Sequence, residues 1–210
     1  MDSRFKLVAF DMDGTLIEDK SSWLKIHEYF NTVSKAKKYL KLYQQGKITY
    51  EEFMERDIGA WPKPLHISKI LQILSNCKIR PEAEFVIQKI HEKGLKTAVI
   101  SAGIEHLVSK IANELGINYY FANKLCVDEQ GYLTGKGIMV VEPMRKDDIL
   151  RALVNKLGLN LSQCIAIGDS PLDSSFLKSV GLGLYLGDKK EARLIGVKPI
   201  HNLLEILNYI

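Results

Sequence analysis

Phe5-Lys-Leu-Val-Ala-Phe10 runs without a break into Asp11-Met-Asp13-Gly14-Thr15-Leu16. The apolar stretch Leu7 to Phe10 shows no polar alternation, so it predicts a strand buried on both faces, as in a parallel sheet. Runs of the same kind recur at Leu95 to Ile100, Ile117 to Phe121, Cys164 to Ile167 and Gly183 to Leu186. Helical patterns lie between them. Pro81 to His91 opens on a proline tolerated at a first helical position, and it ends before Gly94. Ile104 to Leu115 and Lys146 to Leu157 end in the same way before Gly116 and Gly158, glycine suiting the residue after a helix. Strands alternating with helices predict an α/β fold built on a doubly wound parallel sheet.

One segment breaks this rhythm. Residues 18–76 carry helical periodicity but no strand, with helices expected at Ser22 to Phe30, Ser34 to Gln45, Thr49 to Ala60 and Leu65 to Leu74. Gly46 and Trp61-Pro62-Lys-Pro64 separate them. The reading is a helical cap inserted after the first strand, leaving residues 1–17 and 77–210 as the α/β core. A smaller interruption, Asn123 to Val141, has Asp128-Glu-Gln-Gly131 between apolar stretches and predicts a hairpin.

The composition fits one sizeable core with an insertion: 210 residues, 46% hydrophobic and 26% charged. The net charge of +4 comes from 29 Lys and Arg against 25 Asp and Glu, interspersed along the chain. No basic patch interleaved with aromatics points to nucleic acid. The densest basic run, Lys35 to Lys41, reads first as a solvated helix face and alternatively as a positive rim that steers anions. Charged residues directly after Met1 and an apolar stretch of only Leu7 to Phe10 predict neither signal peptide nor membrane span, hence a cytoplasmic protein. Cys77, Cys126 and Cys164 are odd in number and without CxxC spacing, which predicts buried free thiols. The five histidines lack a metal-ligand pattern.

The chemistry gathers at strand ends. Asp11 and Asp13 follow the first strand, where open α/β sheets place their ligands. Asp169 and Asp173 follow the strand ending at Ile167. Four carboxylates at one sheet edge repel each other, and a bound cation offsets that; hard oxygen donors suit Mg²⁺. Ser101 after Val99-Ile100 adds a hydroxyl with neighbouring amides, and Lys146 opens a later helix with a positive charge. Together they suit a phosphoryl group. A serine-esterase reading fails, because Val99 stands where a nucleophile elbow needs glycine and His201 has Lys198 three residues before it.

These motifs, in this order and over nearly the whole chain, resemble the haloacid dehalogenase superfamily of phosphatases, and within it phosphoserine phosphatases: DxDGTL at Asp11 to Leu16, then Ser101, Lys146, and the acidic motif at Asp169 and Asp173. The resemblance implies Asp11 as nucleophile, forming an aspartyl-phosphate, and Asp13 as general acid and then base. It implies Mg²⁺ held by Asp11, the backbone carbonyl of Asp13, Asp169 and, through bound water, Asp173. It also implies that Ser101, the amide of Ala102 and Lys146 meet the phosphoryl oxygens, and that Arg56 on the cap meets a substrate carboxylate. The implied substrate is a small phosphomonoester. Transfer to an acceptor other than water, as in a phosphotransferase or mutase, and a binding protein without turnover remain alternatives.

Two departures matter. The fourth motif commonly reads GDGxND, whereas Ser170 and Leu172 stand here for the second glycine and the asparagine, which predicts weaker Mg²⁺ affinity with catalysis retained. Phosphoserine phosphatases carry a glutamate nine residues after the nucleophile, where it meets the substrate ammonium; here that position is Lys20. The expectation is that L-phosphoserine is a poor substrate, unless Glu18 takes the ammonium instead.

Overall fold

The computed structural model describes residues 4–210; residues 1–3, which the core division includes, lie outside the described residues. The strands are β1 (Leu7–Phe10), β2 (Lys96–Ile104), β3 (Tyr119–Val127), β4 (Leu133–Ile138), β5 (Cys164–Gly168), β6 (Leu182–Leu186) and β7 (Lys198–Ile200). They form one sheet in the order β4-β3-β2-β1-β5-β6-β7. Every pairing is parallel except β3 with β4. β1 is therefore central, hydrogen-bonded to β2 and β5, and all four of its residues are buried. Val8 and Phe10 face one side and Leu7 and Ala9 the other, each side entering a different apolar cluster. Burying side chains the size of Leu7, Val8 and Phe10 contributes about 1.5–3 kcal/mol each.

Helices cover both faces, as a doubly wound sheet requires. α1 (Ser22–Tyr29), α2 (Val33–Gln44), α3 (Tyr50–Ala60) and α4 (Ile67–Leu74) lie between β1 and β2 in sequence. α5 (Ala83–Glu92) and α6 (Glu105–Glu114) pack on the Val8–Phe10 side; α7 (Lys146–Lys156), α8 (Ser174–Lys178) and α9 (Lys189–Ile195) pack on the Leu7–Ala9 side. The apolar cluster of the first side continues from α5 and α6 into Ile26, Met54, Ile58 and Ile70 of α1, α3 and α4. The chain enters and leaves these four helices through two adjacent segments: Glu18 N donates to Lys78 O at 2.9 Å and Arg80 N to Leu16 O at 2.9 Å, around an antiparallel Ile17–Ile79 bridge. Among the described residues no helix is long and apolar enough to cross a membrane.

Several expected boundaries move. α3 is fixed by a capping box, in which Glu52 N donates to Thr49 Oγ1 and Thr49 N to Glu52 Oε2. Pro81 lies in a turn ahead of α5, because the first helical bond there is Val86 N to Glu82 O. β2 runs past Ile100 through Ser101, with its pairing to β3 interrupted between Ile100 and Ile104. The expected hairpin begins inside β3: that strand pairs with β2 in its first half and, from Lys124 on, with β4. Its turn is held by Asp128 Oδ1, which accepts from Gln130 N and Tyr132 N. All three thiols are free, but only Cys164 is buried; Cys77 and Cys126 are half-buried, lying in the segment that leaves α4 and in the hairpin half of β3.

Candidate active site

The parallel strands β1, β2 and β5 end on the same side, and that edge forms one wall of a cavity of about 560 Å³. Helices α1, α2 and α3 form the facing wall through side chains such as Trp23, Lys37, Tyr43 and Tyr50. Asp11 follows β1 directly and is anchored by its own amide, which donates to Ile167 O at 2.8 Å. Gly14 turns the chain back with φ +75°, and a Cβ built on it would lie 2.2 Å from Asp169 Oδ2. Only glycine lets the β1 loop and the β5 loop approach this closely.

Lys146, at the first turn of α7, joins the two loops. Its Nζ donates to Asp11 Oδ1 and to Asp173 Oδ1, each at 2.6 Å, and lysine and both acids are buried. Burial alone draws the Lys146 pKa down, but the two carboxylates outweigh it and hold the ammonium above its ordinary value. Burial pushes the Asp11 carboxyl up, with Lys146 opposing. Asp173 is further fixed by Ser170 N, which donates to its Oδ2 at 3.1 Å, while Ser170 Oγ accepts from Leu172 N at 3.2 Å. The serine that departs from the family motif thus caps the turn carrying both acids.

Asp13 Oδ2 accepts from both the amide and the hydroxyl of Ser22, each at 2.8 Å, while its Oδ1 is buried without a partner. Burial, opposed by the Ser22 hydrogen bonds, pushes this carboxyl up to about 6. Ser101 is buried, and its Oγ accepts from Gly103 N at 3.0 Å. The Ala102 carbonyl is held by three donors from distant parts of the chain, Trp23 Nε1 at 3.0 Å, Tyr50 Oη at 3.3 Å and Asn123 Nδ2 at 3.0 Å.

The structure therefore brings Asp11, Asp13, Ser101, Ala102, Lys146, Asp169 and Asp173 to one cavity. Arg56 is not brought to it: this residue is exposed on α3, and its neighbour Asp57 lines the cavity instead. Lys20 lines the rim, with Nζ 2.5 Å from Asp169 Oδ2, and Glu18 is exposed outside the lining. Of the basic run, Ala36, Lys37 and Leu40 reach the cavity wall, Lys37 being its one lysine there, while the other lysines of the run are exposed. Ser22, Asn123 and the pair His27–Asp57 are site residues that the sequence did not mark. No local signal identifies them, since their partners lie elsewhere in the chain.

Oxygen atoms of Asp11, Asp169 and Asp173 lie within 4.8 Å of one another. Lys146 uses one oxygen of Asp11 and leaves the second. Hard anionic donors at this spacing fit a divalent cation such as Mg²⁺.

A model of the family "haloacid dehalogenase-like hydrolase" matches residues 5–181. The phosphoserine phosphatase of Methanocaldococcus jannaschii is 32% identical over 215 residues, covering 100% of both chains. That of Lactococcus lactis is 32% identical over 97% of this chain and 94% of its own. Among solved structures, a phospho-aspartyl intermediate analogue of phosphoserine phosphatase superposes with a TM-score of 0.83 at 31% identity, covering 98% of this chain and 99% of the other. Because the matched span takes in both acid-bearing strand ends and the lysine that bridges them, the chain belongs to the haloacid dehalogenase-like hydrolase family.

Proposed function

We propose that this protein is a Mg²⁺-dependent phosphatase that transfers the phosphoryl group of a small phosphomonoester to Asp11 and then to water. The observation that carries the reading is Asp11 itself, buried at the end of the central strand with an ammonium at 2.6 Å, in a cavity walled by helices. The superposition on a phospho-aspartyl intermediate analogue supports it.

An Asp11 oxygen attacks phosphorus, and the bond to the leaving oxygen breaks. Asp13, whose pKa of about 6 keeps part of it protonated near neutral pH, gives its proton to that oxygen. In the second half Asp13 takes a proton from water as the water attacks phosphorus, releasing phosphate and the Asp11 carboxylate. Lys146, the Ser101 hydroxyl and the Ala102 amide receive the phosphoryl oxygens. Asp11, the Asp13 carbonyl, Asp169 and Asp173 would hold Mg²⁺, which neutralises charge on the phosphoryl group when bound. Residues 18–76 act as a cap over the core of residues 1–17 and 77–210, excluding bulk water and moving about the paired segments at Ile17 and Ile79.

Metal removal tests the cofactor. Treatment with EDTA is expected to stop phosphate release, and added Mg²⁺ to restore it; full activity of metal-stripped protein would contradict the assignment.

The substrate expectation now rests on placement. Lys20 sits on Asp169, and neither Glu18 nor Arg56 lines the cavity, so the groups expected to hold an amino acid's ammonium and carboxylate are not where phosphoserine would need them. L-phosphoserine is expected to show kcat/KM at least about tenfold below the best ester in a metabolite panel, a difference of about 1.4 kcal/mol. Phosphoserine emerging as the best substrate would refute this. Arg56→Ala is expected to change KM equally for carboxylated esters and for p-nitrophenyl phosphate; a selective rise for the former would show that Arg56 swings inward.

A further inference from the structure

Three hydrogen bonds converge on one backbone oxygen beside the phosphoryl-binding residues, and two of them come from the helices that wall the cavity opposite the sheet. The Ala102 carbonyl accepts from Trp23 Nε1 of α1 at 3.0 Å, from Tyr50 Oη of α3 at 3.3 Å and from Asn123 Nδ2 of β3 at 3.0 Å. A carbonyl oxygen has two lone pairs, so this one is crowded with donors. Asn123 belongs to the sheet and is held there by Val140 and Val141. Trp23 and Tyr50 belong to the helices inserted between β1 and β2. Ser22, the residue before Trp23, holds Asp13 through its amide and its hydroxyl. Consecutive residues of α1 thus grip the proposed acid and the turn that follows Ser101.

The Ala102 oxygen and the Gly103 N–H belong to the same trans peptide unit, whose plane is rigid, so donors at one end set the direction of the other. That N–H donates to Ser101 Oγ at 3.0 Å. The fit is close: a Cβ built on Gly103 would lie 3.0 Å from Ser101 Oγ and 2.9 Å from Ser22 Oγ. Ser101 is buried and lines the cavity. While its oxygen accepts from Gly103, its hydroxyl hydrogen has no acceptor among the described residues and is left for an incoming oxygen.

Resting on the phosphatase reading above, we infer that Trp23 and Tyr50 are positioning residues: through the Ala102–Gly103 peptide they hold Ser101 Oγ as an acceptor, with its hydrogen turned to the phosphoryl group. They act through Ser101 and take no part in the chemistry themselves. The seating of α1 and α3 over the sheet edge is thereby felt at the hydroxyl that receives the phosphoryl oxygens.

Orthovanadate has no ester body to meet the aromatic walls of the cavity, so its calorimetric titration in Mg²⁺ tests the inference. Trp23→Phe, which removes the N–H and keeps an aromatic ring, is expected to raise Kd about three- to tenfold, the range of one hydrogen bond. In Ser101→Ala protein the same substitution is expected to leave Kd within about twofold, because the group through which it acts is gone. Equal losses in both backgrounds, or none in either, would overturn the inference, as would an absence of vanadate binding to the unaltered protein. Should Trp23→Phe not fold, Tyr50→Phe, which removes a single oxygen atom, runs the same cycle with the same outcomes. Turnover of p-nitrophenyl phosphate by the unaltered protein reports separately on the phosphatase reading, so its absence with the vanadate cycle intact would fail that reading and not this one.

Discussion

Asp11→Asn is expected to lower phosphate release by at least about a thousandfold while the protein stays folded, because the amide keeps the shape of the side chain but is no nucleophile. The fold should tolerate the change. Burial makes the Asp11 charge costly, and Lys146 keeps its second partner, Asp173, at 2.6 Å. Phosphate release assayed beside a thermal melt separates the two effects. Near-normal turnover by a folded variant would remove Asp11 from the reaction.

Lys146→Ala is expected to damage both stability and turnover. The ammonium is buried between two buried carboxylates, and deleting one member of such a group leaves uncompensated charge, costing roughly 3–5 kcal/mol. For a chain of this size that corresponds to a fall in Tm of roughly 6–20 °C, read by calorimetry in metal-free buffer. Activity falls as well, since the same ammonium is assigned to the phosphoryl oxygens. A variant melting within a degree or two of the unaltered protein would show that the ion triad contributes little. Added Mg²⁺ is expected to recover part of the lost stability, because a cation at the same carboxylates replaces some of the missing charge and binds only the folded state.

The features legible in the sequence are those written locally. β1 announces itself by an unbroken apolar run and carries its acids on the next residues, so strand, strand end and chemistry are read from one short segment. Asp169 and Asp173 are read from the strand end they follow, and Lys146, which alone would read as a solvated helix residue, from its place in the ordered motifs that the chain shares with the family. The elements that escaped are short: β7 has three residues, α8 five and α9 seven, too few to show a clear period. The join of β2 and β3 around Ser101 escaped for a different reason, because an interruption in strand pairing depends on the partner strand. Ser22 reads only as a helix start, and its contacts with Asp13 exist only once α1 folds back over the β1 loop. Asn123 looked like a hairpin residue, yet its amide donates to the carbonyls of Ala102 and Val141 and its oxygen accepts from the amides of Val140 and Val141. It thereby joins β3 to the chain approaching Lys146. Arg56 and Asp57 show how finely a helix face divides: one residue separates an exposed side chain from a buried one in the cavity wall.

The central claim is a covalent phosphoryl group on Asp11. Its most direct test is to mix the protein with Mg²⁺ and a reactive ester such as p-nitrophenyl phosphate, quench in acid within the first turnover, and map the phosphorylated peptide by mass spectrometry. The account predicts phosphate on the β1 loop peptide at Asp11, absent from Asp11→Asn protein. Phosphate carried instead on Ser101, or phosphorylation of the same extent in Asp11→Asn protein, would contradict it.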